Sequence, residues 1–323
     1  MNEWLIYRGS GVPHDDIDSL PPPPPWRQFE SMSPPYETDL AEVYQGPTAA
    51  RADRYIVDQA TLDMVNTALY LRRPLLVTGP PGSGKTSLAY AVAHELRLGP
   101  VLRWAVTSRS TLLDALYRYD VLGRLGDAQL NGAAEIGSFL RLGPLGTAML
   151  PARRPRVLLI DEFDKSDVDL PNDLLEIFEE GRFTIPELVR LEDVAAVEVG
   201  TADTRRASVV RGQVSCRAFP IVIMTSNGER DFPPAFLRRC LQLQLPQPTR
   251  DMLNQIVQAH LGSWSERSEE LIEAFLRRRE TIELSTDQLL NAVYMAGSLQ
   301  AHDVANRAEL AELLLQRLGD VEL

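Results

Sequence analysis

Cysteine and histidine are scarce in this sequence, which limits the kinds of site that it can build. There are two cysteines, Cys216 and Cys240, and they form neither a close pair nor the short spacing of a metal-binding motif. The four histidines are scattered along the chain: His14, His94, His260 and His302. We therefore expect no zinc site.

Long apolar runs and an excess of positive charge are also absent. No apolar run reaches the length of about 18 residues that a transmembrane helix needs. Residues 1–16 lack the basic start and the long apolar core of a secretory signal. The formal net charge is -12 and the sequence pI about 4.9, whereas a broad grip on nucleic acid needs clustered Lys and Arg. We therefore expect a cytoplasmic protein without membrane insertion, and we do not expect nucleic acid as its partner.

Residues 1–50 differ in composition from the rest and are interpreted as an extension. They contain five successive prolines, Pro21–Pro25, which favour an extended polyproline II conformation and exclude a helix. One interpretation of this segment is a semi-rigid linker. The other is a docking strap whose aromatic side chains anchor on a neighbouring surface. These side chains are Trp4, Tyr7, Trp26, Phe29, Tyr36 and Tyr44.

Residues 51–246 show the alternating pattern of an α/β domain. The apolar runs "PLLVTG", "PVLRWAVT", "RVLLIDE" and "PIVIMTSN" are typical of parallel strands buried on both faces. A fifth run, "LQLQLP", alternates and favours an edge strand. We therefore predict a three-layer core with a mostly parallel five-stranded sheet. Residues 247–323 show helical apolar spacing and predict a small all-α domain of about four helices.

The strongest motif lies between the first predicted strand and the helix that follows it. Gly79, Gly84, Lys85 and Thr86 fit the pattern G-x-x-x-x-G-K-[ST]. Such a loop offers backbone N–H groups at a helix N-terminus to the phosphates of ATP, and its glycines allow close approach. We expect Lys85 to reach the β- and γ-phosphates and the Thr86 hydroxyl to ligate Mg²⁺. The predicted nucleotide-binding residues are Gly79, Pro80, Pro81, Gly82, Ser83, Gly84, Lys85, Thr86 and Ser87.

A second motif places two carboxylates at the end of a buried strand. The apolar residues 157–160 run directly into Asp161 and Glu162. The carboxyl end of a strand in an open α/β sheet lies at the ligand-binding edge. We expect Asp161 to hold Mg²⁺, and Glu162 to polarise the attacking water as a general base.

Four further aspartates follow this strand without matching the pattern of a calcium-binding loop. We interpret them as solvated residues and as favourable negative charge at a helix N-terminus. They are Asp164, Asp167, Asp169 and Asp173.

With both motifs present, the chain resembles an AAA+ ATPase, and more narrowly the MoxR branch of that family. The resemblance covers roughly residues 50–320 and rests on "GPPGSGKT", "LLIDEFDK", "IVIMTSN" and "FPPAFLRRC", in that order. The segment "FLRLGPLGTAML" is similar to the one that follows the insertion in the second helix of MoxR proteins. The resemblance implies a P-loop core, a helical lid, and a β-hairpin before sensor 1 in the segments "VEVGTADTRRASVVRG" and "GQVSCRAFP".

The resemblance also implies roles for single residues. Asn227 matches sensor 1, which orients the attacking water. Arg239 matches the arginine finger that reaches the ATP site of a neighbouring subunit, and Arg238 is the alternative. Two positions depart from the family: Cys240 replaces an aromatic residue, and Asp287 stands where the sensor 2 arginine is expected. We expect Asp287 to face away from the phosphates, because an inward-facing carboxylate would repel them.

These expectations lead to two functions. The first is a homo-oligomeric, hexameric ATPase that uses ATP and Mg²⁺ to remodel or activate a partner protein. Relatives of this kind act in bacterial chaperone, defence or signalling systems encoded by several genes. The second is a slow nucleotide-gated switch or scaffold that recruits effectors, which the missing sensor 2 favours. A nucleic-acid motor is disfavoured by the acidic charge balance.

Overall fold

The computed structural model describes residues 4–36, 52–131, 135–191, 195–262, 265–279 and 284–298. In chain order, the strands are β1 (Leu75–Thr78), β2 (Leu102–Ala105), β3 (Tyr117–Tyr119), β4 (Leu140–Leu142), β5 (Val157–Asp161), β6 (Arg182–Thr184), β7 (Ala196–Gly200), β8 (Arg206–Val210), β9 (Gln213–Ser215), β10 (Ile221–Ser226) and β11 (Leu241–Gln244).

The helices lie before, between and after these strands. They are α1 (Gln59–Leu71), α2 (Lys85–Glu95), α3 (Leu112–Leu116), α4 (Val121–Asn131), α5 (Pro144–Ala148), α6 (Leu170–Glu180), α7 (Pro186–Val189), α8 (Pro234–Leu237), α9 (Arg250–Leu261), α10 (Ser265–Arg279) and α11 (Thr286–Ser298). Short 3-10 helices cover Asp16–Ser19, Pro25–Arg27, Ile136–Phe139 and Phe163–Lys165.

A parallel five-stranded sheet forms the centre of the chain, in the order β11-β1-β10-β5-β2. Successive side chains along its inner strands enter two different apolar clusters, so both faces are covered. On β5, for example, Leu158 and Ile160 join one cluster, whereas Val157 and Leu159 join the other. The predicted α/β fold with a five-stranded parallel sheet is therefore confirmed.

The two edge strands differ in how well the sequence predicted them. Strand β11 lies at one edge, as its alternating pattern indicates. Strand β2 lies at the other edge and alternates between buried and exposed residues, with Arg103 and Ala105 exposed. The expectation that β2 is buried on both faces was wrong, because the face that carries Arg103 and Ala105 is exposed.

A second sheet of six short strands lies beside the first, in the order β3-β4-β7-β8-β9-β6. Its centre is the antiparallel pair β7 and β8, in register from Ala196 opposite Val210 to Gly200 opposite Arg206. This pair is the predicted hairpin. The other strands of this sheet have three residues each. Strand β9 lies in the segment that the resemblance assigned to the hairpin, whereas β3, β4 and β6 were not predicted as strands.

The helices after β11 have an apolar cluster of their own. Buried side chains from α9, α10 and α11 form it, among them Leu253, Phe275 and Leu289. The hydroxyl of Thr249 accepts a hydrogen bond from the Met252 N–H at 3.3 Å and caps α9. The fourth predicted helix lies outside the described residues. Within the part of the chain that the structure describes, no helix is long and apolar enough to cross a membrane.

Residues 4–36, here called the strap, pack on the α/β core. Ile6, Tyr7 and Ile17 are buried in the same apolar cluster as α2. The side-chain oxygen of Asn66 on α1 accepts the N–H groups of Ile6 and Tyr7 at 2.7 and 3.0 Å. These contacts favour the docking interpretation over the linker, with the chain's own core as the docking surface.

Not every strap aromatic is an anchor, because the Trp26 side chain is 75% exposed. Tyr44 lies outside the described residues. The boundary at residue 50 remains a proposal, since residues 37–51 are also outside them.

Candidate functional site

The loop between β1 and α2 forms one wall of a cavity of about 750 Å³. Gly82 and Gly84 have φ angles of 73° and 89°, values that favour glycine. A Cβ atom on Gly82 would lie 2.7 Å from the Cα of Ser285, which directly precedes α11. The glycine therefore allows the C-terminal helices to approach the loop closely.

Lys85 is buried at the start of α2, inside this loop. Its Nζ donates hydrogen bonds to the backbone oxygens of Gly79 and Pro80 at 2.6 and 2.8 Å. Burial lowers the pKa of the Lys85 ammonium, while nearby carboxylates, Asp164 first, act in the opposite direction. Among the described residues, the hydroxyl of Ser83 is buried and has no hydrogen-bond partner. An inward-facing ammonium and an unpaired buried hydroxyl both fit a polyphosphate ligand.

Asp161, the last residue of β5, lies next to this loop. Its Oδ1 accepts hydrogen bonds from the hydroxyls of Thr86 at 3.0 Å and Thr225 at 2.7 Å. A carboxylate beside a threonine hydroxyl is an all-oxygen donor set, which fits Mg²⁺. The structure thus brings together Thr86 and Asp161, the two residues that we expected to hold the metal.

Arg103 on β2 is a cavity residue that the sequence analysis missed. Its Nε and Nη2 donate to Oδ2 of Asp161 at 3.0 and 2.7 Å. The hydrogen bond to Asp161 raises the pKa of the Arg103 guanidinium. A single cation within the apolar run "PVLRWAVT" was the only signal for it.

Glu162 lies at the cavity wall immediately after Asp161. Its backbone is left-handed, with φ of 57°, and its N–H donates to the Thr225 hydroxyl at 2.9 Å. A non-glycine residue in this region is strained, and such strain often occurs at functional positions. The Glu162 carboxylate pairs with Lys165 at 3.0 Å, and this hydrogen bond raises the pKa of the Lys165 ammonium. Glu162 is half-exposed to the cavity and is thus accessible to water.

Asn227 follows β10 and also lies at the cavity wall. Its N–H donates to Oδ2 of Asp164 at 2.8 Å, and the N–H of Glu229 donates to the same oxygen at 3.2 Å. The interpretation of Asp164 as a solvated residue was wrong, because its side chain is buried beneath this turn. Asp164 therefore positions the turn that carries Asn227.

Arg238 and Arg239 are not among the residues that line the cavity. They follow α8, on the segment that leads into β11. The Arg239 guanidinium pairs with Glu179 of α6 and donates to the backbone oxygen of Ala235 at 3.2 Å. Within one chain, Arg239 therefore has an acidic partner that is distant in the sequence.

The start of α11 is in direct contact with the glycine-rich loop. The Thr286 hydroxyl donates to the backbone oxygen of Gly82 at 2.8 Å. Asp287 is part of the cavity wall, and the expectation that its carboxylate faces away from the phosphates stays a prediction. A neutral hydrogen bond thus joins the C-terminal helices to the loop, one residue before the position where a sensor 2 arginine was expected.

Several apolar side chains also line the cavity, and the sequence analysis did not identify them. Tyr55 and Ile56 contribute from the segment before α1, and Met252, Ile256 and Tyr294 contribute from the C-terminal helices. The Tyr55 ring lies against the loop, since a Cβ atom on Gly84 would be 3.0 Å from it. The cavity is therefore lined by apolar as well as polar side chains, as small-molecule sites are.

Two comparisons with known proteins give little information on this chain. No curated protein sequence matches the chain. Among solved structures, the chain is similar to NtrX from Brucella abortus in complex with ADP, with 15% identity and a TM-score of 0.40. That match covers 77% of this chain and 52% of the NtrX chain, so it spans about half of that protein. Similarity at this level carries no information on function.

A family model gives a more specific result. The model described as "AAA domain (dynein-related subfamily)" matches residues 74–240, from the residue before β1 to the residue before β11. This range contains the glycine-rich loop, Asp161, Glu162 and Asn227, and it covers more than half of the chain. The protein therefore belongs to the AAA domain family, dynein-related subfamily, and its α/β core is that of an AAA+ P-loop ATPase.

Proposed function

We propose that the protein is a MoxR-like AAA+ ATPase that binds ATP with Mg²⁺ in the cavity beside α2 and hydrolyses it. One observation supports this proposal above the others. The Thr86–Asp161 hydrogen bond joins the glycine-rich loop to the acidic strand end, and Lys85, Glu162 and Asn227 lie on the same cavity wall.

Each of these residues has a distinct task in the proposed reaction. The loop N–H groups and Lys85 hold the phosphates, and Thr86 with Asp161 holds Mg²⁺, which neutralises phosphate charge. Glu162 accepts a proton from the attacking water. Asn227 orients that water, and its position depends on the buried Asp164.

Steady-state ATP hydrolysis tests the catalytic part of the proposal. Glu162→Gln should retain nucleotide binding and lose hydrolysis by about 100-fold or more, because general-base catalysis contributes that much. Glu180→Gln is the control, since Glu180 is half-exposed and is not part of the cavity wall. Equal hydrolysis by wild type and Glu162→Gln would contradict the assigned role.

We further propose that the active form is a homo-oligomer, most simply a hexameric ring, in which Arg239 acts on the ATP site of the next subunit. The position of Arg239 outside its own cavity supports this assignment. On assembly, Arg239 would exchange its surface pair with Glu179 for the γ-phosphate of a neighbour. Arg238 is the alternative finger.

Mixing two inactive variants tests action between subunits. A subunit with Arg239→Ala keeps an intact ATP site, and a subunit with Lys85→Ala keeps an intact arginine finger. In a mixed oligomer, the finger of the second subunit can act on the ATP site of the first. The mixture should therefore recover hydrolysis that neither variant has alone. Arg238→Ala is the matched comparison, and recovery specific to that variant would identify Arg238 as the finger. If neither mixture recovers hydrolysis, the proposal of a finger between subunits is wrong.

The proposed cellular task is to remodel or activate a partner protein in the cytoplasm. The MoxR resemblance and the hairpin β7–β8 support this task, and the acidic chain gives no support for nucleic acid as a substrate. Affinity capture on Glu162→Gln with ATP should retain the partner, whereas Lys85→Ala should not. Nucleotide-independent capture would argue against remodelling.

A second candidate function is a slow nucleotide-gated switch. Asp287 on the cavity wall and the neutral Thr286–Gly82 contact favour it, because no sensor 2 arginine stands at this position. Turnover below about one per hour that a captured partner does not raise would favour the switch, since unassisted NTPase sites are slow.

A further inference from the structure

Arg103 makes an ion pair within the cavity that none of the assigned roles requires. It projects from the edge strand β2, and its side chain is 53% exposed. Both contacting nitrogens, Nε and Nη2, donate to a single oxygen, Oδ2 of Asp161, at 3.0 and 2.7 Å. The other oxygen of Asp161 already accepts from Thr86 and Thr225. Both oxygens of the proposed metal-binding carboxylate are thus occupied by groups of the chain itself.

The charges on the cavity wall make Arg103 the natural counter-ion of Asp161. Lys85 donates to backbone oxygens of its own loop, and Glu162 pairs with Lys165. Asp161 is buried, and a buried carboxylate needs a charged or hydrogen-bonding partner. Thr86, Thr225 and Arg103 donate hydrogen bonds to the Asp161 carboxylate, and of these three Arg103 is the one that carries a positive charge.

We propose that Arg103 is a positioning residue that serves as the counter-ion of Asp161 when Mg²⁺ is absent and gives up Oδ2 when the metal enters. This inference rests on the proposed binding of ATP with Mg²⁺. Carboxylate oxygen is the ligand that Mg²⁺ prefers, so the metal, or water bound to it, and the guanidinium compete for the same atom. The guanidinium is on a long, half-exposed side chain at a sheet edge, so it can leave Asp161 without repacking the core.

This arrangement predicts opposite effects with and without metal. Without metal, Arg103 offsets the negative charge of Asp161 beside the phosphates, so its removal should weaken nucleotide binding. With metal, removal of Arg103 also removes the competitor, so a lower Mg²⁺ concentration should be sufficient. An ordinary surface ion pair would produce neither effect, because exposed pairs contribute little.

Binding of ATP that carries a fluorescent label on its ribose provides the test, since the readout does not depend on hydrolysis. Its affinity is measured in EDTA and during a Mg²⁺ titration, for wild type, Arg103→Gln and Arg103→Lys. Arg118→Gln is the matched control, because Arg118 is exposed, pairs with Asp114 and is not part of the cavity wall.

We expect Arg103→Gln to weaken the binding of labelled ATP in EDTA about tenfold relative to the control. The Mg²⁺ concentration at the midpoint of the titration should fall about three- to tenfold. Arg103→Lys should shift both quantities in the same directions but less, because an ammonium keeps the charge and loses the planar two-nitrogen contact. If Arg103→Gln does not fold, the lysine variant carries the test.

Two outcomes would overturn the inference, and they differ from each other. If wild type binds nucleotide and the Arg103 variants match Arg118→Gln in both conditions, Arg103 is not a counter-ion that the metal displaces. If wild type binds no nucleotide with or without Mg²⁺, the proposed function fails and this inference fails with it.

Discussion

Two loops in this protein contain the sequence Gly-Ser-Gly, and they use it for different purposes. Residues 8–11, here called the strap loop, wrap around the carboxylate of Glu95, with N–H contacts from Arg8 at 2.6 Å, Gly9 at 3.1 Å and Gly11 at 2.9 Å. The glycine-rich loop before α2 surrounds Lys85 and faces the cavity. In both loops the glycines have positive φ angles.

The two loops lie at opposite ends of one helix, since α2 begins at Lys85 and ends at Glu95. The N-terminal end of a helix favours an anion, and its C-terminal end disfavours one. At the N-terminal end, the proposed anion is a ligand. At the C-terminal end, Glu95 is an unfavourable anion for the helix, and the N–H groups of the strap loop stabilise it. We therefore expect the glycine-rich loop before α2 to contribute mainly to nucleotide binding. The strap loop should contribute mainly to the stability of the fold.

The largest expected effect is the loss of stability in Glu95→Ala. Glu95 is fully buried, and its removal leaves several N–H groups of the strap loop unpaired. We expect the free energy of unfolding to fall by about 3–5 kcal/mol, as it does when one partner of a buried charged contact is removed. Urea denaturation measures this change, and limited proteolysis should show early cleavage within the strap.

Glu180→Ala is the control for this prediction. Glu180 also ends a helix, α6, but its side chain is about half-exposed. We expect a change within about 0.5 kcal/mol. Equal losses in the two variants would mean that the strap loop contributes no stability through Glu95.

Lys85→Ala should weaken nucleotide binding rather than lower stability. We expect nucleotide affinity to fall by about 100-fold, because charge-assisted contacts to phosphate are strong, while the free energy of unfolding changes little. Burial lowers the pKa of the Lys85 ammonium, so burial disfavours its charged form in the folded chain. Isothermal titration with ATP and urea denaturation measure the two quantities.

Lys165→Ala is the matched control, since Lys165 is the chain's other lysine and is more exposed. Its nucleotide affinity should remain within about twofold of wild type. A large loss of stability in Lys85→Ala would remove the proposed distinction between the two loops.

Alanine substitutions at one glycine of each loop test the difference between the two loops. A Cβ atom on Gly11 would lie 2.3 Å from the backbone oxygen of Asp53, and one on Gly82 would lie 2.7 Å from the Cα of Ser285. We expect Gly11→Ala to lower stability by about 2 kcal/mol. Gly82→Ala should instead weaken nucleotide binding, because it displaces the start of α11 from the loop. Thermal unfolding with and without ATP distinguishes the two effects.

The smallest expected effect concerns Thr286. Thr286→Val removes the hydrogen bond to Gly82 and should reduce nucleotide affinity by about fivefold, which corresponds to one hydrogen bond of about 1 kcal/mol. Thr286→Ser retains a hydroxyl and should restore most of the affinity. If the valine and serine variants bind nucleotide equally well, the contact between α11 and the loop does not influence binding.

Features that depend on short stretches of sequence were predictable. Strands β1, β5 and β10 are apolar runs that are buried on both faces of the sheet. The composition of each run is therefore sufficient to predict a buried strand. The pattern around Lys85 is equally local, because the loop, the lysine and the helix N-terminus are consecutive in the chain. The acidic strand end needed only the rule that parallel strands present their carboxyl ends at one edge.

Features that depend on partners distant in the sequence were not predictable in this way. Asp164 belongs to a segment that appears solvated, and its burial becomes evident only when the turn at Asn227 is placed above it. Arg103 has no evident partner in the sequence until β2 pairs with β5, where it lies opposite Leu159 and its guanidinium reaches Asp161. The three-residue strands of the second sheet are too short to show a period.

The sequence by itself determined the α/β core, the glycine-rich loop and the acidic strand end, because each depends on neighbouring residues that select one local conformation. Tertiary structure alone decided which group forms hydrogen bonds with each buried carboxylate. Glu95 receives the N–H groups of the strap loop, Asp161 receives Arg103, and Asp164 receives the turn at Asn227. These contacts join residues that are 58 or more positions apart, and only folding can bring such buried charges together with the groups that stabilise them.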